Sequence, residues 1–168
     1  MAQFLSIPVA NIADSGTASE TQVGKLVDDG QNFLTTVAIG DVVHNTTDNT
    51  YATVTTVTND TTLVLSADIM ADTETFVIYS ATSYTTQLIS ARNISIVEQL
   101  SVNAVTVLYS LGSGAADLIT ITHATQATGY AMRDAIQNAL VQAYVVKNAP
   151  DVVIPVSVTK TVIGIGIA

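Results

Sequence analysis

The chain has 168 residues, enough to bury a core in one domain or in one domain with a small inserted lobe. Its 14 Asp and Glu against 5 Lys and Arg give a formal charge of −9, which argues against binding a nucleic-acid backbone, where cations must replace counterions. There is no cysteine, which excludes disulfides, thiolate metal sites and thiol nucleophiles.

Met1 to Val9 has no basic n-region and no long apolar stretch, so no secretory signal is expected. Instead Phe4–Val9 alternates, with Leu5, Ile7 and Val9 on one face of a strand. The same tripeptide, Ile-Pro-Val, recurs at Ile154–Val156 in a second alternating run, Val152 to Val158. Proline has no N–H for a ladder, so each strand should lie at an edge or turn its proline nitrogen outward. Side-by-side terminal strands would close a domain. Asn11 to Gln31 is polar and glycine-containing and reads as loop, with Lys25-Leu26-Val27 as a short strand inside it.

From Leu34 the texture changes to brief strands separated by turn residues. The strands are expected at Thr36–Val43, Tyr51–Val57, Thr61–Leu65 and Thr75–Tyr79. Asn45–Asn49, Asn59-Asp60 and Ala71–Thr73 supply the turns. Val54 and Val57 are three apart, which breaks the two-residue period and predicts a bulge at Thr55-Thr56. A meander of this size tends to curl, because a flat one exposes both edges. Residues 34–80 are therefore read as an inserted, barrel-like β lobe, 81–86 as a connector, and 1–33 with 87–168 as the main domain.

The main domain resumes with a strand over Leu88–Val97, interrupted near Ala91-Arg92. Val105, Val107 and Tyr109 share one face of the next strand, Gly112-Ser113-Gly114 turns the chain, and Ile119, Ile121 and His123 share one face of the return. The single helical period lies in Ala127–Val145, where Met132, Ala135, Ile136, Ala139, Leu140 and Ala143 fall on one stripe. Thr125 and Thr128 are placed to cap it, Asp134 suits its N-terminal end and Lys147 its C-terminal end, and Asn148-Ala149-Pro150 stops it. The fold class is therefore α+β and mainly β: one helix packed on an antiparallel sheet, with the inserted lobe.

The last stretch, Ile163, Gly164, Ile165, Gly166 and Ile167, alternates isoleucine with bare backbone. Alone, such a strand gains little packing and loses glycine entropy. Against a second subunit the bare face permits close approach and the backbone can extend a sheet. These five residues are the candidate subunit contact, with a frayed terminus as the alternative. Charged residues make up 11% of the chain against roughly 25% in an average soluble domain, so much of the surface is neutral. Cover by other subunits is one reading of that deficit, and a Thr-rich β protein that is merely neutral is the alternative.

Constellations for chemistry are weak. His123 lies on an apolar face and reads as a satisfied core histidine; His44, near Asp41 and Asp48, has no nucleophile beside it. Asp60, Asp68, Asp72 and Glu74 gather near turns without calcium-loop spacing and read as solvated acids. Gly112-Ser113-Gly114 lies between strands, not ahead of a helix, so it is no phosphate cradle. With no Trp and three Phe, flat sugar platforms are scarce, although six Tyr are present. No run reaches the roughly 18 apolar residues of a membrane helix. The asparagine sequons at Asn45, Asn59 and Asn93 are read as chance in so Asn/Thr-rich a chain. No enzyme, cofactor or metal is expected.

Ile119-Thr-Ile-Thr-His-Ala124, Met132-Arg-Asp-Ala-Ile-Gln-Asn-Ala139 and Phe4-Leu-Ser-Ile-Pro-Val9 resemble small structural proteins of tailed bacteriophages, particularly those of marine hosts. Gly40-Asp41-Val42-Val43, Tyr51-Ala-Thr-Val54 and Asp60-Thr-Thr-Leu63-Val-Leu65 resemble a β-barrel module of phage virion proteins. The resemblance implies a virion component assembled in the host cytoplasm: a capsid decoration (cement) protein on the outside of the major capsid protein lattice. It also implies a homo-oligomer, with trimer the expected state, and no nucleic-acid or membrane partner. A tail or fibre accessory, or an adhesin-like binding module, is the alternative.

Overall fold

A computed structural model of the chain describes residues 3–110, 116–146 and 152–167. In chain order its elements are β1 (Gln3–Thr17), β2 (Lys25–Val27), α1 (Phe33–Thr36), β3 (Val42–Asn45), β4 (Thr50–Asn59), β5 (Thr62–Leu65), β6 (Thr75–Ser90), β7 (Ile94–Ser101), β8 (Ala104–Ser110), β9 (Ala116–His123), α2 (Ala131–Val145), β10 (Val152–Pro155) and β11 (Val162–Ile167). The protein is mainly β. It divides into two compact units, Met1–Val9 with Thr85–Ala168, and Ala10–Tyr84.

In the first unit the strands follow the order β1–β11–β9–β8–β7, with β10 also paired to β1. β7, β8 and β9 form an antiparallel meander, and β9 pairs antiparallel with β11. The two Ile-Pro-Val segments do meet: β10 runs beside β1 with Leu5 opposite Ile154 and Ser6 opposite Pro155. That pairing is parallel, as is the contact of β1 with β11 at Val9 and Val162. The sheet is therefore mixed, not purely antiparallel. Side-chain alternation sets which residues face a core, but it carries no information on strand direction. Val156 N–H donates to Ser6 O, so the two-residue alternation turns the Pro155 nitrogen away from β1, where no ladder bond is lost.

α2 lies across this sheet, burying Met132, Ile136, Ala139, Leu140 and Ala143 against Leu5, Ile7, Val105, Val107, Ile119 and Ile121. Gln3 Nε2 donates to Ala143 O, and Tyr144 hydroxyl to Ala91 O, pinning the far end of the helix. The helix begins later than its period suggests. Tyr130 is its N-cap and makes no side-chain cap bond, so Thr125 and Thr128 do not cap it. Gln126 occupies that stretch instead, donating from its amide to Thr128 O and Gly129 O. The interruption expected near Arg92 is real: β6 ends at Ser90, and Asn93 takes a left-handed φ of 62° before β7. The Gly112–Gly114 turn, Lys147 and the Asn148–Pro150 stop lie outside the described residues.

The second unit contains the strand path β2–β5–β4–β3–β6–β1. Its core gathers Leu26, Phe33, Val43, Val54, Leu63, Leu65, Met70, Phe76 and Ile78, with the Phe33 and Phe76 rings tilted at 6.2 Å. The bulge at Thr55-Thr56 is present, as the β4–β5 register shifts between Val54 and Thr56. The unit begins at Ala10, not at 34, because β1 runs on to Thr17 and the polar 11–31 stretch is tied in by its side chains. Asp28, almost fully buried, accepts from Gly30 N–H and Gln31 Nε2, and Gly16 leaves the space that this carboxylate fills. Of the strand expected over Thr36–Val43 only Val42 and Val43 are strand, in β3; Thr36 ends α1, and residues 37–41 form the turn between them. Residues 81–86, expected as a connector, are strand, since β6 continues unbroken to Ser90 and is exposed over 81–88. Val27 of β2 makes one isolated bridge to Glu20, three residues past the end of β1, and not the ladder of a closed barrel.

Candidate functional site

The Gly40-Asp41 pair shows how this chain uses its acids. Gly40 has φ +98°, a conformation open to glycine, and turns the chain into β3. Asp41, 1% exposed, then accepts from Ala38 N–H at 2.9 Å and Ala81 N–H at 2.8 Å. Asn45 is equally occupied: its amide donates to Ile69 O and Glu74 Oε2, and its oxygen accepts from Thr47 and Asp48 N–H. Asp68 accepts from Gly24 N–H, and Glu74 also from Ala71 N–H. These side chains stand in for absent ladder partners. Among the described residues no three His, Asp or Glu gather as a metal site.

The two histidines are likewise structural in their contacts. His44 stacks on its cross-strand partner Tyr51, with centroids at 4.3 Å, and its Nε2 donates to Asn49 Oδ1. His123 is fully buried. Its Nδ1–H donates to Ala124 O at 2.8 Å, and its Nε2 accepts from the Gln99 amide at 3.1 Å, which fixes the neutral tautomer. Burial holds its pKa below the ordinary histidine value, and Lys160 adds to that, against the Ala124 bond. Burial likewise pushes the Tyr109 phenol up to about 12, leaving it a neutral donor to Ser90 O.

The residues singled out at the C-terminal end form β11 together with Val162. Gly164, Ile165, Gly166 and Ile167 pair with Thr122, Ile121, Thr120 and Ile119 of β9 in the same chain. Their backbone thus has a partner at home on that side, so the segment is neither frayed nor dependent on a neighbour for its ladder. Ile163 is buried, Ile165 packs on the core, and Ile167 is 78% exposed. A Cβ built on Gly164 or Gly166 meets no atom within 4 Å.

Those two positions belong to a larger surface. With Ile119, Ile121, Val105 and Val107 turned toward α2, the alternate residues line the opposite face of the sheet. One cross-strand row reads Gly166, Thr120, Thr106, Glu98; the next reads Leu118, Leu108, Ile96. Gly164, Thr122 and Ala104 form a third. Glu98, at the rim, carries the one charge in these rows. Ile96, Glu98 and Gly166 are exposed on this face, Leu108, Leu118, Thr120 and Thr122 are half-buried, and Thr106 at the centre of its row is only 6% exposed. Sequence reasoning found only its glycine edge. The signal for the rest was the alternation of Thr120 and Thr122 with Ile119 and Ile121.

A second feature went unnoticed in the sequence. On its flank toward residues 155–159, α2 borders an open cleft of about 440 Å³ lined by Asp134, Asn138, Gln142, Ser157 and Thr159 over an alanine floor. No protein family, curated protein or solved structure matches the chain.

Proposed function

We propose that the protein is a structural component of a tailed-phage virion, most specifically a decoration protein bound as a homo-oligomer to the outside of the major capsid protein lattice. The observation that carries this reading is the face of the first unit's sheet opposite α2: uncharged except for Glu98, exposed at Ile96 and Gly166, and bare of side chains at Gly164 and Gly166. A sheet face of threonine, leucine and glycine suits packing against another protein at the roughly 10 Å spacing of stacked sheets, and loses stability by being left in water. The resemblance of the strand and helix sequences to small phage structural proteins supplies the partner. The acidic balance suits an outer surface, away from packaged DNA.

Quantitative mass spectrometry of purified particles from a phage that encodes the chain tests the reading. Many copies per particle, in a ratio to the major capsid protein set by lattice symmetry, is the expected result. Absence from particles overturns the proposal, and a few copies per particle moves the protein to the tail or its fibres.

A further inference from the structure

One corner of the first unit is closed by a buried imidazole and an amide with more acceptors than hydrogens. His123, at the end of β9, is fully buried, and its Nε2 lies 3.1 Å from Gln99 Nε2 of β7. The same Gln99 nitrogen lies 2.7 Å from Ser101 O and 3.1 Å from Ala104 O, the two residues that pair at the end of the β7–β8 hairpin. An amide nitrogen carries two hydrogens, and here it faces three acceptors. Its oxygen, Oε1, is enclosed and has no donor among the described residues. The two carbonyls hold the amide in this orientation, since a half-turn would set Oε1 against both of them.

The hairpin tip is docked on the segment that carries the histidine. His123 N–H donates to Asn103 O at 2.9 Å, and Gln126 N–H to Val102 O at 2.8 Å. Because Nδ1–H is already committed to Ala124 O, an added proton goes to Nε2. There it meets the Gln99 NH2 group, donor against donor. A half-turn of the carboxamide removes that clash and gives Oε1 a donor, but it takes from Ser101 O and Ala104 O the donor they share. Nearby charge does not assist the proton: Lys160, itself a cation, opposes it. Glu98 lies on the other face of β7, Tyr109 at the far end of β8 is bonded to Ser90 O, and Arg133 and Asp134 of α2 pair with each other. β11, the 101–104 turn and residues 124–129 carry no titratable side chain.

We propose that His123 and Gln99 form an acid-sensitive latch: proton uptake at Nε2 turns the Gln99 carboxamide and releases the Val102-Asn103 tip of the hairpin while the rest of the sheet stays formed. Opening gains the proton because the ring, held below its ordinary pKa when buried, regains that value in water. The latch does not depend on the virion reading.

The test is amide hydrogen exchange of the whole protein by NMR between about pH 7.5 and 4.5, with rates divided by the intrinsic rate at each pH and the His123 ring followed by its 15N shifts. At pH 7.5 the ring should show Nδ1–H and a bare Nε2. Below about pH 6.5 protection at His123 and Gln126 N–H should fall by up to about tenfold per pH unit, the limit for one proton. Phe33 and Leu65 N–H, bonded to Asp60 O and Gly24 O in the second unit, should keep theirs. In Gln99→Met, which keeps the bulk and removes the amide, the corner should be weakly protected at pH 7.5 and lose at least about tenfold less than wild type on acidification. His123→Asn should hold its protection across the range. Unchanged protection at His123 and Gln126 while the ring charges, a Gln99→Met corner that responds to acid as wild type does, or loss of all amides together with no earlier loss at this corner overturns the proposal.

Discussion

Ile136→Ala is the sharpest probe of how the first unit holds together. Ile136 is 1% exposed at the centre of the α2 stripe, within the cluster that includes Leu5, Ile7, Val107 and Ile121. The change removes three methyl-sized groups, about 2.4 kcal/mol of transfer free energy at about 0.8 kcal/mol each. A sheet braced by β1, β8, β9 and β11 has little freedom to collapse into the space, so a cavity term adds to this. The expected total is about 3–4 kcal/mol, inside the usual range for an aliphatic cut to alanine. Gln137→Ala, one residue on and exposed, should cost under about 0.5 kcal/mol. Urea unfolding followed by circular dichroism measures both, with midpoints compared at unchanged slope. Equal losses at the two sites would refute the one-faced burial of α2.

Further outcomes follow from single contacts. His123 is neutral when buried and its pKa is depressed, so the folded state binds fewer protons than the unfolded chain. Stability should hold above about pH 6.5, the unfolded value, and fall as pH drops from there toward the lowered folded value; His123→Asn should flatten that part of a urea-midpoint profile. Gly16→Ala places a Cβ 2.6 Å from Gln31 Nε2 and 3.0 Å from Phe76 Cζ, besides overlapping Asp28 Oδ2, and should cost about 1–3 kcal/mol by denaturation. Gly164→Ala meets open space and should stay within about 0.5 kcal/mol of wild type in the same assay. Asp41→Ala strands the N–H groups of Ala38 and Ala81 and should cost at least about 1.5 kcal/mol, read as a lower melting midpoint.

What was legible in the sequence follows the range of the forces involved. The helical stripe, the Val105/Val107/Tyr109 face and the Thr55-Thr56 bulge are set by periodicity within a few residues, and each is present as expected. The meeting of the two Ile-Pro-Val strands was readable as well, but not its parallel sense, which depends on how α2 returns the chain. The long strands β1 and β6 were missed in part because Ser80–Leu88 is almost wholly exposed and polar, so no buried face imposes alternation on it. Residues 11–31 looked like loop because the bonds that tie them in, Ala18 N–H to Glu74 O, Gly24 N–H to Asp68 and Asp72 N–H to the Thr21 hydroxyl, span sequence distances that no local window covers. β11 was seen as unusual for the right reason, its bare glycines, yet its ladder partner is β9, more than forty residues earlier. Removing Gly164–Ala168 would therefore expose the β9 edge and weaken the fold itself, which makes truncation a poor probe of assembly.

Gly164→Val is the cleaner one, because its side chain enters open space on the face opposite α2 and a branched residue suits a strand. The decisive measurement is rebinding of purified protein to particles stripped of it, with wild type and Gly164→Val compared at matched concentration. Wild type should rebind to saturation in many copies, and the variant, folded and with the same urea midpoint, should rebind at least about tenfold more weakly. Equal binding by the variant, or no saturable binding by wild type, would contradict a contact made through that face of the sheet.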